Sequence, residues 1–121
     1  MIVDDNHKSM PQENPLAREI LLAFWKVHIL HHAAEGPVYG QWVLDELRRH
    51  GYDLSPGTLY PLLKRMEAHG WLKAKENAGT GQAHARREYR LTPIGRKILK
   101  QLRVLVAELH HEVVEEHADA E

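Results

Sequence analysis

The segment SPGTLYPLLKR (55–65) concentrates two hydroxyls, a phenol and two cations. Ser55-Pro56 reads as a helix N-cap followed by proline at the first helical position. Ser55 and Thr58 then fall in a first turn whose hydroxyls and free N–H groups suit a phosphate. Tyr60, Lys64 and Arg65 lie on the helix face away from Leu59, Leu62, Leu63 and Met66. A second basic group follows in Lys73, Lys75, Arg86, Arg87 and Arg90, with His84 beside it. The chemistry these residues offer is neutralisation of a polyanion rather than bond making. Each has a plainer use as well: Ser55 caps, Lys64 and Arg65 are solvated, and charges on a hairpin deter edge pairing.

The chain has ten histidines. His28, His31 and His32 share one segment, with His28 and His32 one helical turn apart. His110, His111 and His117 stand among Glu112, Glu115 and Glu116. Brought together across a pair of chains, such imidazoles and carboxylates suit a zinc- or nickel-type ion, which makes His28, His32, His110 and His111 weak metal candidates. Surface histidines at this spacing are more often plain polar residues, so no cofactor is expected. An enzyme is disfavoured. There are no cysteines, no nucleophile with a paired base and no glycine-rich phosphate loop, and HEVVE (111–115) lacks the second histidine of a zinc-hydrolase helix.

These groups need elements to hold them. Residues 1–13 lack periodicity and are expected to form a disordered arm. After Asn14-Pro15, the residues Leu16, Ile20, Leu21, Phe24, Val27, Leu30 and Ala34 recur at three- and four-residue steps, predicting a helix stopped by Gly36-Pro37. A second helix is predicted from Tyr39 to His50 with Trp42, Val43 and Leu47 inward, and a third from Pro56 to His69, ended by Gly70. The period then drops to two in WLKAKE (71–76) and REYRLT (87–92), a hairpin with a glycine-bearing tip. Thr92-Pro93 opens a last helix running to about residue 118. Helix, helix, turn, helix, hairpin, long helix is the order of a winged helix-turn-helix, mainly α with a small β-hairpin.

Charge divides along this order. Residues 38–103 hold thirteen Lys/Arg against six Asp/Glu, and residues 104–121 hold none against six, although the whole chain is at -1. No apolar run approaches the roughly 20 residues that span a bilayer, and the polar start has no secretory pattern. A cytoplasmic protein without membrane contact is therefore expected.

The stretch 35–72, continued by 85–99, resembles the PadR family of bacterial transcriptional regulators. The resemblance is carried by Gly36-Pro37 with Tyr39-Gly40, by Ser55-Pro56-Gly57-Thr58-Leu59-Tyr60-Pro61-Leu62-Leu63, and by Tyr89-Arg90-Leu91-Thr92 with Gly95-Arg96. Pro61 sharpens it. Proline there forgoes the bond to the Gly57 carbonyl that a generic amphipathic helix would keep. The resemblance implies a repressor whose third helix enters the major groove while the wing lies along the backbone or minor groove. With one C-terminal helix, the chain is similar to the short subgroup, which pairs through that helix, often against the first helix of the partner. Some members respond to phenolic acids and some to multidrug-like aromatic cations. Multidrug-sensing members use a tryptophan on the last helix, and here that helix has none.

The resulting expectations are specific. Residues 14–92 form the DNA-binding domain, 93–118 the dimerisation helix and 119–121 a tail. Operator DNA is met by Tyr39, Ser55, Gly57, Thr58, Tyr60, Lys64, Arg65, Lys73, Lys75, Arg86 and Arg87. A homodimer is held by Leu16, Ile20, Ile98, Leu102, Leu105, Val106, Leu109 and Val113, because a lone helix must bury such a stripe somewhere. An effector site falls to Trp25, His28, His31 and His32, with Trp25 the stacking surface for an aromatic ligand. The alternative function is a winged-helix protein-interaction module without DNA activity, which would not need cations on both the third helix and the wing.

Overall fold

The computed structural model describes residues 15–76 and 87–116. The N-terminal arm, the hairpin tip with His84 and Arg86, and the chain end from His117 lie outside the described residues, as does the Leu16 side chain. The elements are α1 (Pro15–Glu35), β1 (Val38–Tyr39), α2 (Gly40–Arg49), α3 (Pro56–Ala68), β2 (Leu72–Glu76), β3 (Arg87–Leu91) and α4 (Pro93–His110), with a π-helical turn at His111–Glu115.

The expected winged helix-turn-helix is present, with one strand more than the hairpin. Val38 pairs with Tyr89 and Tyr39 with Glu88, so β1 adds to β3 and the antiparallel order is β1-β3-β2. Tyr39, expected to open the second helix, belongs to this strand instead. Two residues are too few to show any period, and only the neighbouring strand makes them β. In the hairpin, Leu72 faces Leu91 and Ala74 faces Tyr89 on the inner side, while Lys73 and Lys75 point outward.

The core lies between α1, α2, α3 and the inner face of the sheet. Leu59, Leu62, Leu63 and Met66 of α3 are fully buried, as their spacing predicts. On α1 the buried seam is Leu21, Trp25, Ile29, Leu30 and Ala33, rotated from the predicted face, and Ile20 and Phe24 are exposed. Trp42 is also a correction. It is 44% exposed and leans edge-on against His32, while Val43, Leu44 and Leu47 turn inward. A tryptophan next to a buried valine sits about 100° round the helix from it, beyond the reach of α3.

The turns between elements are closed by backbone. At the end of α3, Gly70 takes a φ of 81°, its N–H donates to Glu67 O at 2.9 Å and the Trp71 N–H donates to Met66 O at 3.1 Å. This paired arrangement satisfies the last carbonyls of the helix. Immediately afterwards Thr92 joins three segments. Its N–H donates to Trp71 O at 3.1 Å, its hydroxyl accepts the Gly95 N–H at 2.9 Å as the α4 cap, and the hydroxyl hydrogen faces the Gly70 and Trp71 carbonyls. The approach is so close that a Cβ on Gly95 would stand 2.2 Å from Trp71 O and 2.7 Å from Leu91 Cδ1.

Backbone oxygen cannot yield as a flexible side chain can. Gly95→Ala is therefore expected to lower stability by about 3 kcal/mol, read as a lower urea midpoint at unchanged slope. A wild-type midpoint would show that α4 is not pinned at this point.

Candidate nucleic-acid interface and the histidine cluster behind it

α2, the turn 50–55 and α3 form the helix-turn-helix. The turn is fixed by Tyr52 and Leu54, both buried, and by Arg48 Nε donating to Leu54 O at 3.1 Å. The first turn of α3 faces solvent. Ser55 stands at the N-cap position in an extended conformation but makes no side-chain cap bond. Its hydroxyl lies 3.4 Å from Thr58 Oγ1, which also accepts from Arg18 at 2.9 Å. Arg18, on α1, was not among the expected cations. Nothing in the local sequence ties residue 18 to residue 58, and only helix packing brings them together.

Ser55, Gly57, Lys64 and Arg65 are exposed, whereas Thr58 and Tyr60 are half-buried. Burial, then the nearby Asp45 charge, raises the Tyr60 phenol above its ordinary value, so it stays neutral and able to donate. Tyr39 is exposed beside β3. Gly57 has no internal reason to lack a side chain: a Cβ there would meet only Ser55 Oγ, at 3.6 Å. Alanine at this helical position would be favoured by about 1 kcal/mol.

On the wing, Lys73 and Lys75 point to solvent, and Arg90 is exposed and paired with Glu88 at 2.8 Å. Arg87 is paired within the domain. Its guanidinium reaches Glu67 Oε1 of α3 at 3.1 Å and Glu76 of β2 at 3.2 Å, so it ties the wing to α3. The reason is register. Arg87 opposes Glu76 across the hairpin, directly over the last turn of α3.

Behind this surface, on the far side of α2, the histidines gather. His28 and His32 stack with ring centres 6.3 Å apart, and His50 at the end of α2 lies 5.1 Å from His28. Glu46 Oε2 is within 3.0 Å of His50 Nε2 and 2.8 Å of Arg49. The Arg49 hydrogen bond chiefly holds the Glu46 carboxyl down at about 2. Burial, then the neighbouring imidazoles, lowers His28 below its ordinary value, and His28 Nε2 sits 3.3 Å from the Tyr52 hydroxyl. His50 and Glu46 were absent from the expected cluster, because they lie fourteen or more positions along the chain from the α1 histidines and no local period links them.

Other expected effector residues are dispersed. Trp25 is 2% exposed, edge-on to Tyr52 with centres 6.0 Å apart, so it offers no stacking surface to an aromatic ligand. Its place between Leu21 and Ile29 puts it on the core seam of α1. His28 and His31 instead line a cleft of about 750 Å³ between α1 and α4, with Leu99, Arg103, Val106 and His110 opposite. His110 and His111 are exposed and paired with Glu115, and no trio of potential metal ligands among the described residues includes either of them. On α4, Leu99 is buried and Ile98 and Leu102 pack at the core margin, while Leu105, Val106, Leu109 and Val113 are exposed.

Three packed helices, a helix-turn-helix and an antiparallel wing define a winged-helix regulator. The Transcriptional regulator PadR-like family matches residues 29–101, and the chain belongs to this family. It is 50% identical over 97 residues to the transcriptional regulator Rv3488 of Mycobacterium tuberculosis, covering 80% of this chain and 89% of that one. A PadR-like transcription factor from Bacteroides fragilis superposes with a TM-score of 0.70 at 25% identity, over 83% of this chain and 96% of its own. A transcriptional regulator from Clostridium thermocellum does so at 0.63 and 28% identity, over 81% and 93%. The protein is thus a transcriptional regulator and not an enzyme. No described helix is long and apolar enough to cross a membrane.

The Arg87–Glu67 pair is half-exposed on both sides, and a double-mutant cycle with Arg87→Ala and Glu67→Ala should report a coupling of about 1 kcal/mol. Strictly additive losses would show that the wing is not tied to α3 by this contact.

Proposed function

We propose that the protein is a ligand-responsive repressor that binds operator DNA as a homodimer. The observation that carries the DNA reading is the outer face of α3. Ser55, Gly57, Lys64 and Arg65 face solvent there, and a Cβ on the glycine would meet only Ser55 Oγ among the described residues. A bare backbone at the start of a helix lets a phosphate or base edge approach closely. Tyr60, Lys64 and Arg65 read or track the major groove, and Lys73 and Lys75 of the wing follow the backbone. Arg86, outside the described residues, remains part of the proposed wing contact. Arg87 acts by holding the wing in place.

Pairing through α4 follows from exposure. Leu105 is 61% exposed and Leu109 54%, and Ile20 on α1 adds an apolar residue exposed to 59%. Exposed apolar residues of this kind on two helices of a small regulator call for a partner copy. In the proposed dimer these residues, with Leu16, Ile98, Leu102, Val106 and Val113, form the interface.

Two measurements test the reading. Short duplexes selected from a randomised library should lose roughly three to five decades of affinity between about 50 and 200 mM salt, and Lys64→Ala should flatten that slope by about one contact. A salt-insensitive interaction would favour the protein-interaction module instead. Independently, Leu105→Glu with Leu109→Glu should sediment as a folded monomer and lose at least about 100-fold in operator affinity; a persisting dimer would place the interface elsewhere.

A further inference from the structure

Three imidazoles from two helices meet at one point behind the helix-turn-helix. His28 and His32 come from one face of α1 and His50 from the end of α2, and their potential ligand nitrogens lie within 4.8 Å of one another. We propose that His28, His32 and His50 form a site in each chain for a divalent transition ion of the zinc type. Three imidazole nitrogens are a donor set that zinc takes, with a fourth position left for water.

Several features support it beyond proximity. His32 Nε2 is buried and has no hydrogen-bond partner, although Glu46 Oε2 is 3.4 Å away. A buried polar atom left in this way is costly unless something occupies the space beside it. The other nitrogen of the same ring, Nδ1, faces Glu35 at 3.4 Å. An imidazole whose far nitrogen meets a carboxylate is the usual outer-shell arrangement of a metal-bound histidine. Around one zinc, ligand nitrogens sit about 3.4 Å apart. From a 4.8 Å limit each of the three rings need move no more than about 0.8 Å to close on an ion.

The position gives the ion something to do. It would clamp α1 to the last turn of α2, immediately before Tyr52 and the turn that sets α3. His28 also lines the cleft against α4. The coupling of metal to operator affinity rests on the DNA reading above, whereas the site itself does not.

The test uses the untagged, chelator-treated full chain. Calorimetry with Zn²⁺ should find one ion per chain, and Co²⁺ should give the intense visible absorption of tetrahedral coordination. His32→Ala and His50→Ala should each weaken binding by more than about 100-fold, and Glu35→Gln by about 10-fold. His31→Ala, His110→Ala and His111→Ala should leave it unchanged. If His50→Ala unfolds, His50→Gln takes its place, with circular dichroism of the metal-free variants as control. No binding of Zn²⁺ overturns the proposal, as does binding that survives loss of His50. Binding that instead depends on His31 or His110 also overturns it. For duplexes selected by the metal-free protein, Zn²⁺ should shift affinity at least about 5-fold, and His50→Ala should abolish the shift. Zinc bound with no shift overturns the coupling. If no duplex is selected, the DNA reading fails, and calorimetry still decides the site.

Discussion

The fold turns on the contact between the start of α4 and the backbone of Trp71. Thr92 uses its N–H and both functions of its hydroxyl there, and Gly95 removes the one atom that would forbid the approach. Through this junction the end of α3, the base of the wing and the long helix become one rigid unit. The direction in which α4 leaves the domain is set at its first turn. That direction lays Leu99 into the core and carries Leu105 and Leu109 beyond it. An apolar stripe that has run off the edge of its own domain follows geometrically from where the helix is anchored, and pairing with a second copy is one way to bury it.

Charge in this chain is arranged more by pairing than by count. The middle of the sequence is strongly basic, yet several cations are committed inside the domain. Arg87 bridges Glu67 and Glu76, Arg49 holds Glu46, and Arg90 meets Glu88. Others face solvent, Lys64, Arg65, Lys73 and Lys75 on α3 and the wing, and Arg96, Lys97, Lys100 and Arg103 on α4. The acidic residues of the final turns, among them Glu112, Glu115 and Glu116, pair in part with their own histidines or stand in solvent, away from α3.

α1 carries three surfaces at once. One seam, through Trp25 and Ile29, fills the core. A second, with Ile20 and Phe24, is apolar and exposed. The third presents His28 and His32 towards α2. Because a helix turns by about 100° per residue, residues only one apart in sequence serve different surfaces. Trp25 therefore packs inside while Phe24 remains outside. A ligand at any one of these surfaces acts on an element that touches α2 and α4.

Sequence by itself determined the order of elements and the identity of the helix-turn-helix and wing. Proline-started, glycine-stopped helices and a change of period are local signals, fixed by the backbone chemistry of a few adjacent residues. The buried face of α3 was likewise legible, since Leu59, Leu62, Leu63 and Met66 leave only one way to turn the helix. Tertiary structure alone decided the rest. The face of α1 that points inward depends on where α2 and the sheet press on it. Their placement put Trp25 in the core against a pattern that several apolar faces could satisfy. It made β1 a strand through its partner, bent Arg87 onto Glu67, and carried His50 and Glu46 to His28 and His32. Each of these outcomes joins residues far apart in the chain, and such pairings are specified by packing rather than by any local period.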